Sequence, residues 1–296
     1  MSDYVEQNKS ICDFTNEGNW VILTPIEASI KSKIEKYGTP LKKWDVNIYR
    51  GVLTGFNDAF IIDEVTKQML IASDPKSAEI IRPILRGRDI KRYSYDFQHL
   101  YLLNVHNGIK GRNIPPIDIN LYPAVKKWLD QFYDKLKKRD DKGVTPYNLR
   151  NCAYMDEFSK QKILYPCIMH DGPHFMLDTQ KEYFTPAPGN IITGNNLEYL
   201  LGFLCSKITY YVLRQFYMGG GIEGELKTNR LLLLPIPKYT GSTSDLIISR
   251  CSSSLSQENK NNISLFIDIE NEVANHFNLT EEEKPSATSL NVASIE

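Results

Sequence analysis

Tyr49-Arg50-Gly51-Val52-Leu53-Thr54-Gly55-Phe56-Asn57-Asp58-Ala59-Phe60-Ile61 lies across two β-rich runs, residues 46–53 and 59–63. The joint between them, residues 54–58, contains a Gly and an Asn, which tolerate positive φ, so a hairpin-like pair of short strands is expected here. Upstream, Thr24-Pro25-Ile26-Glu27 is a capping box with Pro at the first helical position, and Ile26, Ile30 and Ile34 repeat until Gly38-Thr39-Pro40 stops the helix. Downstream, Val125, Trp128, Leu129, Phe132 and Leu136 mark one apolar helix face, opposite Lys126, Lys127, Lys135 and Lys137. Residues 163–169, 175–177 and 190–193 are short strand candidates, and residues 197–216 are expected to form one long, almost wholly apolar helix. A Ser-rich stretch of low pattern follows Pro235-Ile236-Pro237, and then an amphipathic helix on Ile263, Phe266, Ile267, Val273 and Phe277. Strands and helices that do not alternate as βαβ units make the expected class α+β: mixed short-strand sheets, a long buried helix and a C-terminal amphipathic helix.

This pattern divides the 296 residues into a linker over 1–19, a main domain over 20–240, a helical segment over 241–279 and a disordered tail over 280–296. No run approaches the ~18 apolar residues of a membrane span, and the first residues do not read as a signal peptide, so no membrane partner and a cytoplasmic location are expected. Five cysteines at irregular spacing suit a reducing compartment. The net charge of −1 hides an uneven distribution: −3 over residues 1–19, −6 over 241–296 and +8 over 20–240. A basic middle between acidic ends suits a surface that contacts phosphates, as it would an anionic small substrate.

Chemistry is harder to place. Adenine methyl transfer needs a glycine-rich cofactor turn and an Asn/Asp-Pro-Pro-aromatic loop; Asn113-Ile114-Pro115-Pro116-Ile117 has an inserted Ile and no aromatic, and reads as a rigid loop. Cys167, His170 and His174 put three potential zinc ligands within eight residues, without a second pair at finger spacing. Glu225-Leu226-Lys227 lacks the paired Asp of a nuclease site and reads as loop charge. Residues 218–224 are glycine-rich but follow a helix and lack a Gly-Lys-Ser/Thr ending, which suits a mobile loop better than a nucleotide cradle. The densest basic patch, residues 82–93, carries five bases and one acid, and reads equally as a phosphate-contacting row or a solvated, ion-paired turn.

Taken in order, these landmarks resemble the TaqI-like C-terminal specificity domain of adenine-specific DNA methyltransferases and type IIG restriction-modification enzymes. The run 49–61 resembles the family's opening signature, and Ile84-Leu85-Arg86-Gly87-Arg88-Asp89-Ile90-Lys91-Arg92-Tyr93 its second. Tyr147-Asn148-Leu149-Arg150, Lys162-Ile163-Leu164-Tyr165-Pro166, residues 195–207 and Leu234-Pro235-Ile236-Pro237 follow in order. The resemblance implies that residues 20–240 are a target-recognition domain binding double-stranded DNA. It implies no catalysis by the chain alone, and S-adenosylmethionine only in an adenine methyltransferase catalytic domain, in cis or in trans. Arg50, Arg86, Arg88, Lys91 and Arg92 are expected to meet phosphates, because the shared signatures should serve the shared backbone. Two less patterned stretches supply base-reading candidates: Asn107, Lys110 and Arg112 in one, Gly220, Lys227, Asn229 and Arg230 in the other. The alternatives are a small metal-dependent hydrolase on Cys167, His170 and His174, and a protein-only adaptor in a defence complex.

Overall fold

Thr24 opens helix α1 (Pro25–Tyr37) as the sequence predicts: its Oγ1 accepts from the Glu27 amide at 3.3 Å while Glu27 Oε2 accepts from the Thr24 amide at 2.8 Å. The computed structural model describes residues 23–218, 225–254 and 263–284. The expected linker 1–19, the glycine loop with Gly220 and tail residues 285–296 lie outside the described residues. After α1 come β1 (Thr39–Pro40), β2 (Val46–Arg50), α2 (Asn57–Phe60), β3 (Ile61–Asp63), α3 (Glu64–Ser73), β4 (Ile81–Pro83) and β5 (Leu100–Leu103). Next are α4 (Pro123–Asp130), α5 (Tyr133–Lys138), β6 (Lys162–Tyr165), β7 (Met176–Asp178), β8 (Asn190–Gly194), α6 (Leu197–Leu204) and α7 (Lys207–Val212). The remainder is α8 (Thr228–Leu231), β9 (Pro235–Ile236), α9 (Ser242–Ser254) and α10 (Ile263–His276). Helices with small antiparallel sheets make the fold α+β, as expected.

Two compact units share the chain, and each is discontinuous. The one formed by residues 47–167 and 174–197 holds a four-stranded sheet of order β2-β8-β6-β7 and a three-stranded sheet of order β3-β5-β4. Strand β6 is wholly buried, with Leu164 opposite Met176 on one side and Ile191 on the other. Lys162 heads that strand because it faces Asp178 in register; their 2.6 Å ion pair is completely buried, and burial pushes the lysine's pKa down. Asp178 also accepts the amides of Lys181 and Tyr183, so no carboxylate oxygen is left without a donor. Phe60, Ile62, Leu102, Val125, Leu129, Leu136 and Phe158 belong to one core cluster, and Trp128 donates to the Ala59 carbonyl at 2.9 Å.

The other unit contains described residues 23–46, 168–173, 198–218, 225–254 and 263–284. There β1 pairs with β9, Thr39 opposite Ile236, and Tyr199 and Phe203 pack against His276. A Cβ on Gly202 would fall 2.3 Å from Ile247 Cγ2 and 2.9 Å from Cys251 Sγ, so glycine is what allows α6 and α9 to approach so closely.

Several expectations are corrected. The runs at 46–53 and 59–63 do not pair: β2 joins β8, β3 joins β5, and the joint forms α2, opened where Thr54 donates to Asn57 Oδ1 at 2.5 Å. The single helix over 197–216 is broken, because Ser206 takes an extended backbone and caps α7, and residues 213–217 widen into a π turn. The face on Val125–Leu136 is likewise split between α4 and α5. Strand β6 stops at Tyr165, before Pro166. Helix α9 occupies the Ser-rich stretch, held by buried Ile247 and Cys251 one turn apart. Residues 280–284, assigned on sequence to a tail, are placed: Glu283 is buried and accepts from Ser29, Lys33 and the Thr280 amide, each at 2.7 Å.

Candidate nucleic-acid interface

The basic patch is a braced turn in the 47–197 unit. Arg86 grips Asp89 with both arms of its guanidinium, Nε to Oδ2 at 2.8 Å and Nη2 to Oδ1 at 2.9 Å, and the Asp89 carboxylate also accepts the Arg86 amide. Asp89 is buried, and hydrogen bonding to it raises the guanidinium pKa further. The turn Gly87–Asp89 follows, with the Asp96 amide donating to the Asp89 carbonyl at 2.8 Å and the Tyr93 amide to Phe175 O at 2.9 Å. Arg88 and Lys91 are exposed on this frame, whereas Arg92 is half-buried with its guanidinium 5.5 Å from the buried Tyr93 ring. Four of the expected phosphate residues therefore share one turn with divided duties: Arg86 is occupied, Arg88 and Lys91 face solvent, and Arg92 lies along a ring.

Arg50 ends β2, exposed, and is tied to the same frame by the segment 184–189. Val52 N donates to Thr185 O and Leu85 N to Phe184 O, both at 2.9 Å, and Gly51 N donates to Gly189 O at 2.7 Å. A side chain at Gly51 would meet Thr185 O at 2.5 Å, which is why the opening signature carries glycine there. Both signature runs thus lie against one strap, a relation that spacing along the chain does not express.

The first base-reading stretch is closed on itself by Ile109 N to Ile114 O at 2.9 Å and Ile117 N to His106 O at 3.0 Å, as befits a rigid loop. Lys110 and Arg112 are exposed there, and Arg112 pairs with Asp156. Asn107 is half-buried, and its Oδ1 accepts from the Val144 amide at 2.8 Å. Behind the loop, Asn148 donates to Ile117 O at 2.9 Å and accepts from Thr145 Oγ1 at 2.6 Å. Arg139, 7% exposed, donates to the carbonyls of Thr54, Pro146 and Asn148 and lies over Phe60; burial pushes its pKa down to about 10. Sequence reasoning missed Arg139. It reached Arg82 only as part of the basic patch and Asn104 and His106 only within the loosely patterned stretch 104–113, and passed over Asp156; all four line a cleft of about 280 Å³ beside the loop.

In the other unit, Lys227 and Asn229 are exposed and Arg230 half-buried, at the start of and within α8, with Lys227 Nζ 3.8 Å from Glu225 Oε2. Of the zinc candidates, His174 Nδ1 lies 3.0 Å from the Ile90 carbonyl oxygen and His170 is exposed. Among the described residues no three or more His, Cys, Asp or Glu are grouped to hold a metal ion. Nor is any described helix long and apolar enough to cross a membrane.

Fold and site together define a braced α+β frame that carries charged side chains outward. The chain belongs to the TaqI-like C-terminal specificity domain family, whose model matches residues 82–236, more than half of its length. Among solved structures it is similar to the type IIL restriction-modification enzyme MmeI, determined in complex with DNA, with 15% identity and a TM-score of 0.57 over 85% of this chain and 37% of that one. It is also similar to the type IIG restriction endonuclease BpuSI, with 14% identity and a TM-score of 0.49 over 90% of this chain and 34% of that one. At such identity the likeness to MmeI is one of fold. The chain spans about a third of the length of these two proteins. No curated protein matches it.

Proposed function

We propose that this chain is the target-recognition module of a restriction-modification system, which binds double-stranded DNA and directs an adenine-specific methyltransferase domain, in cis or in trans, to its site. The observation that carries the reading is the braced turn: Asp89 takes up Arg86, and the rigid frame so formed holds Arg88 and Lys91 in solvent, where a phosphate row would meet them. Arg50 and Arg92 extend the phosphate edge, and Arg86 becomes its positioning residue. Lys110 and Arg112 on the closed loop, with Lys227, Asn229 and Arg230 in the other unit, are assigned to base edges, together with Asn107 through its amide nitrogen. S-adenosylmethionine is assigned to the catalytic partner, since the sequence has neither a glycine-rich strand-to-helix turn nor an Asn/Asp-Pro-Pro-aromatic loop.

Fluorescence anisotropy with labelled duplexes at several salt concentrations tests the reading. Duplex binding should weaken steeply with salt. Arg88→Ala and Lys91→Ala should each weaken target and scrambled duplexes alike and reduce the salt slope by roughly one. Absence of binding even at low ionic strength would favour a protein-only adaptor, and selective loss of target preference in Arg88→Ala would place base reading on this turn instead.

A further inference from the structure

The cleft beside the closed loop has apolar walls, Ile80, Ile109, Ile117 and Phe184 among them, and unusual polar members. Asn104, 7% exposed, is fixed through its backbone by a 2.7 Å bond to Ile80 O, yet its Oδ1 is buried without a hydrogen-bond partner. Asp156 gives Oδ2 to Arg112, and its Oδ1 is likewise buried and unpartnered. Two orphaned acceptors, buried on residues that line one small cleft, are costly in a folded chain and point to a ligand that brings N–H donors once these side chains turn to it. His106 supplies the complementary group. Burial and the neighbouring Arg82 guanidinium lower its pKa, and its Nδ1 accepts from the Gly108 amide at 3.1 Å, so the neutral ring keeps its hydrogen on Nε2 as a donor.

A second cleft of about 490 Å³ shares Arg82 and Phe184 with the first and adds Lys67, Tyr101 and the exposed Lys181. A base-sized cleft with acceptors and a donor, opening beside a larger one lined by cations, has the form of a site for one nucleotide. We propose that the smaller cleft receives a single amino-bearing nucleobase unstacked from bound DNA, with Asn104 and Asp156 accepting its N–H groups and Lys181 facing the adjoining phosphate. This assignment rests on the DNA-recognition reading above.

The test compares oligothymidylate strands carrying one adenine, or one hypoxanthine in its place, binding to the full chain, with free adenosine and an unmodified duplex in parallel. The adenine strand should bind roughly tenfold more tightly than its hypoxanthine counterpart, which lacks the amino group. Asn104→Leu should erase that preference while leaving the thermal midpoint unchanged or raised, since it removes an unsatisfied buried acceptor. If Asn104→Leu fails to fold, Asp156→Asn should show the same loss. Equal binding of the two strands, or a preference that survives both substitutions, would overturn the proposal and leave the cleft to water. Adenosine binding as tightly as the strand would assign the cleft to a free nucleoside and likewise overturn the DNA-borne source. Duplex binding reports separately: if it fails while the adenine preference stands, the recognition reading falls and the base site does not.

Discussion

The guanidinium of Arg139 gathers three carbonyls that the chain itself keeps apart, Thr54 on one side and Pro146 and Asn148 on the other. Without the arginine the Thr54 and Pro146 carbonyls would lose this donor, at about 1–3 kcal/mol apiece, the Asn148 carbonyl would keep only the Gly143 amide at 3.0 Å, and the Phe60 ring would lose its cation. Arg139→Met is therefore expected to destabilise the protein by about 3 kcal/mol or more, measured as a lower urea midpoint at unchanged slope. A loss below about 1 kcal/mol would mean that water replaces the side chain. Replacing Arg88 or Lys91 should leave the midpoint within about 0.5 kcal/mol, because both are exposed. The sequence does not distinguish these arginines. Residues 138–143 read as a charged helix end, and which member of Lys137-Lys138-Arg139-Asp140 turns inward depends on carbonyls at 54 and 146–148 that no local pattern contains. The basic patch was legible, but which of its bases face solvent was not: singling out Arg88 and Lys91 from Arg86 required knowing that Asp89 is buried.

Helix boundaries show the same division. The capping box at Thr24 was legible because every partner lies within one turn. The break at Ser206 was not, because its stability is shared with a distant helix: Ser206 Oγ donates to Glu270 Oε2 at 2.7 Å, and the Lys207 amide donates to Oε1 at 2.7 Å. One carboxylate thus helps satisfy the start of α7 from across α10. Ser206→Ala and Glu270→Ala should each cost about 1–2 kcal/mol, and the double substitution should cost less than their sum, a coupling that equilibrium denaturation of the four proteins would measure. Strict additivity would show that the two groups do not cooperate. Strands β6, β7 and β8 were legible as apolar runs punctuated by Pro and Gly, but their partners were not. Adjacent runs at 46–53 and 59–63 invited a hairpin, while the strap at 184–189 and distant register claimed their edges instead.

At the scale of the molecule, acidic charge outside the basic middle is partly structural. Glu283 is buried, which alone would raise its pKa, but the Lys33 ammonium, the Thr280 amide and the Ser29 hydroxyl outweigh burial and hold it at about 2, below its ordinary 4.5. A carboxyl with a depressed folded-state pKa stabilises the fold fully above 4.5, and that contribution fades as pH falls from 4.5 towards 2. The thermal midpoint should drop across this window, and Glu283→Gln should lower the midpoint at neutral pH while flattening the acid slope; an unaltered slope would assign acid sensitivity to other carboxylates. The same contact has a consequence in time. Ser29 and Glu283 stand 254 positions apart, and the unit containing both also takes residues 168–173. A ribosome delivers the chain from its amino end, so every strand of the 47–197 unit emerges while α1 still waits for the last helix. The unit begun first is thus finished last: during synthesis α1 meets Tyr211 and β9 before Glu283 completes its contacts.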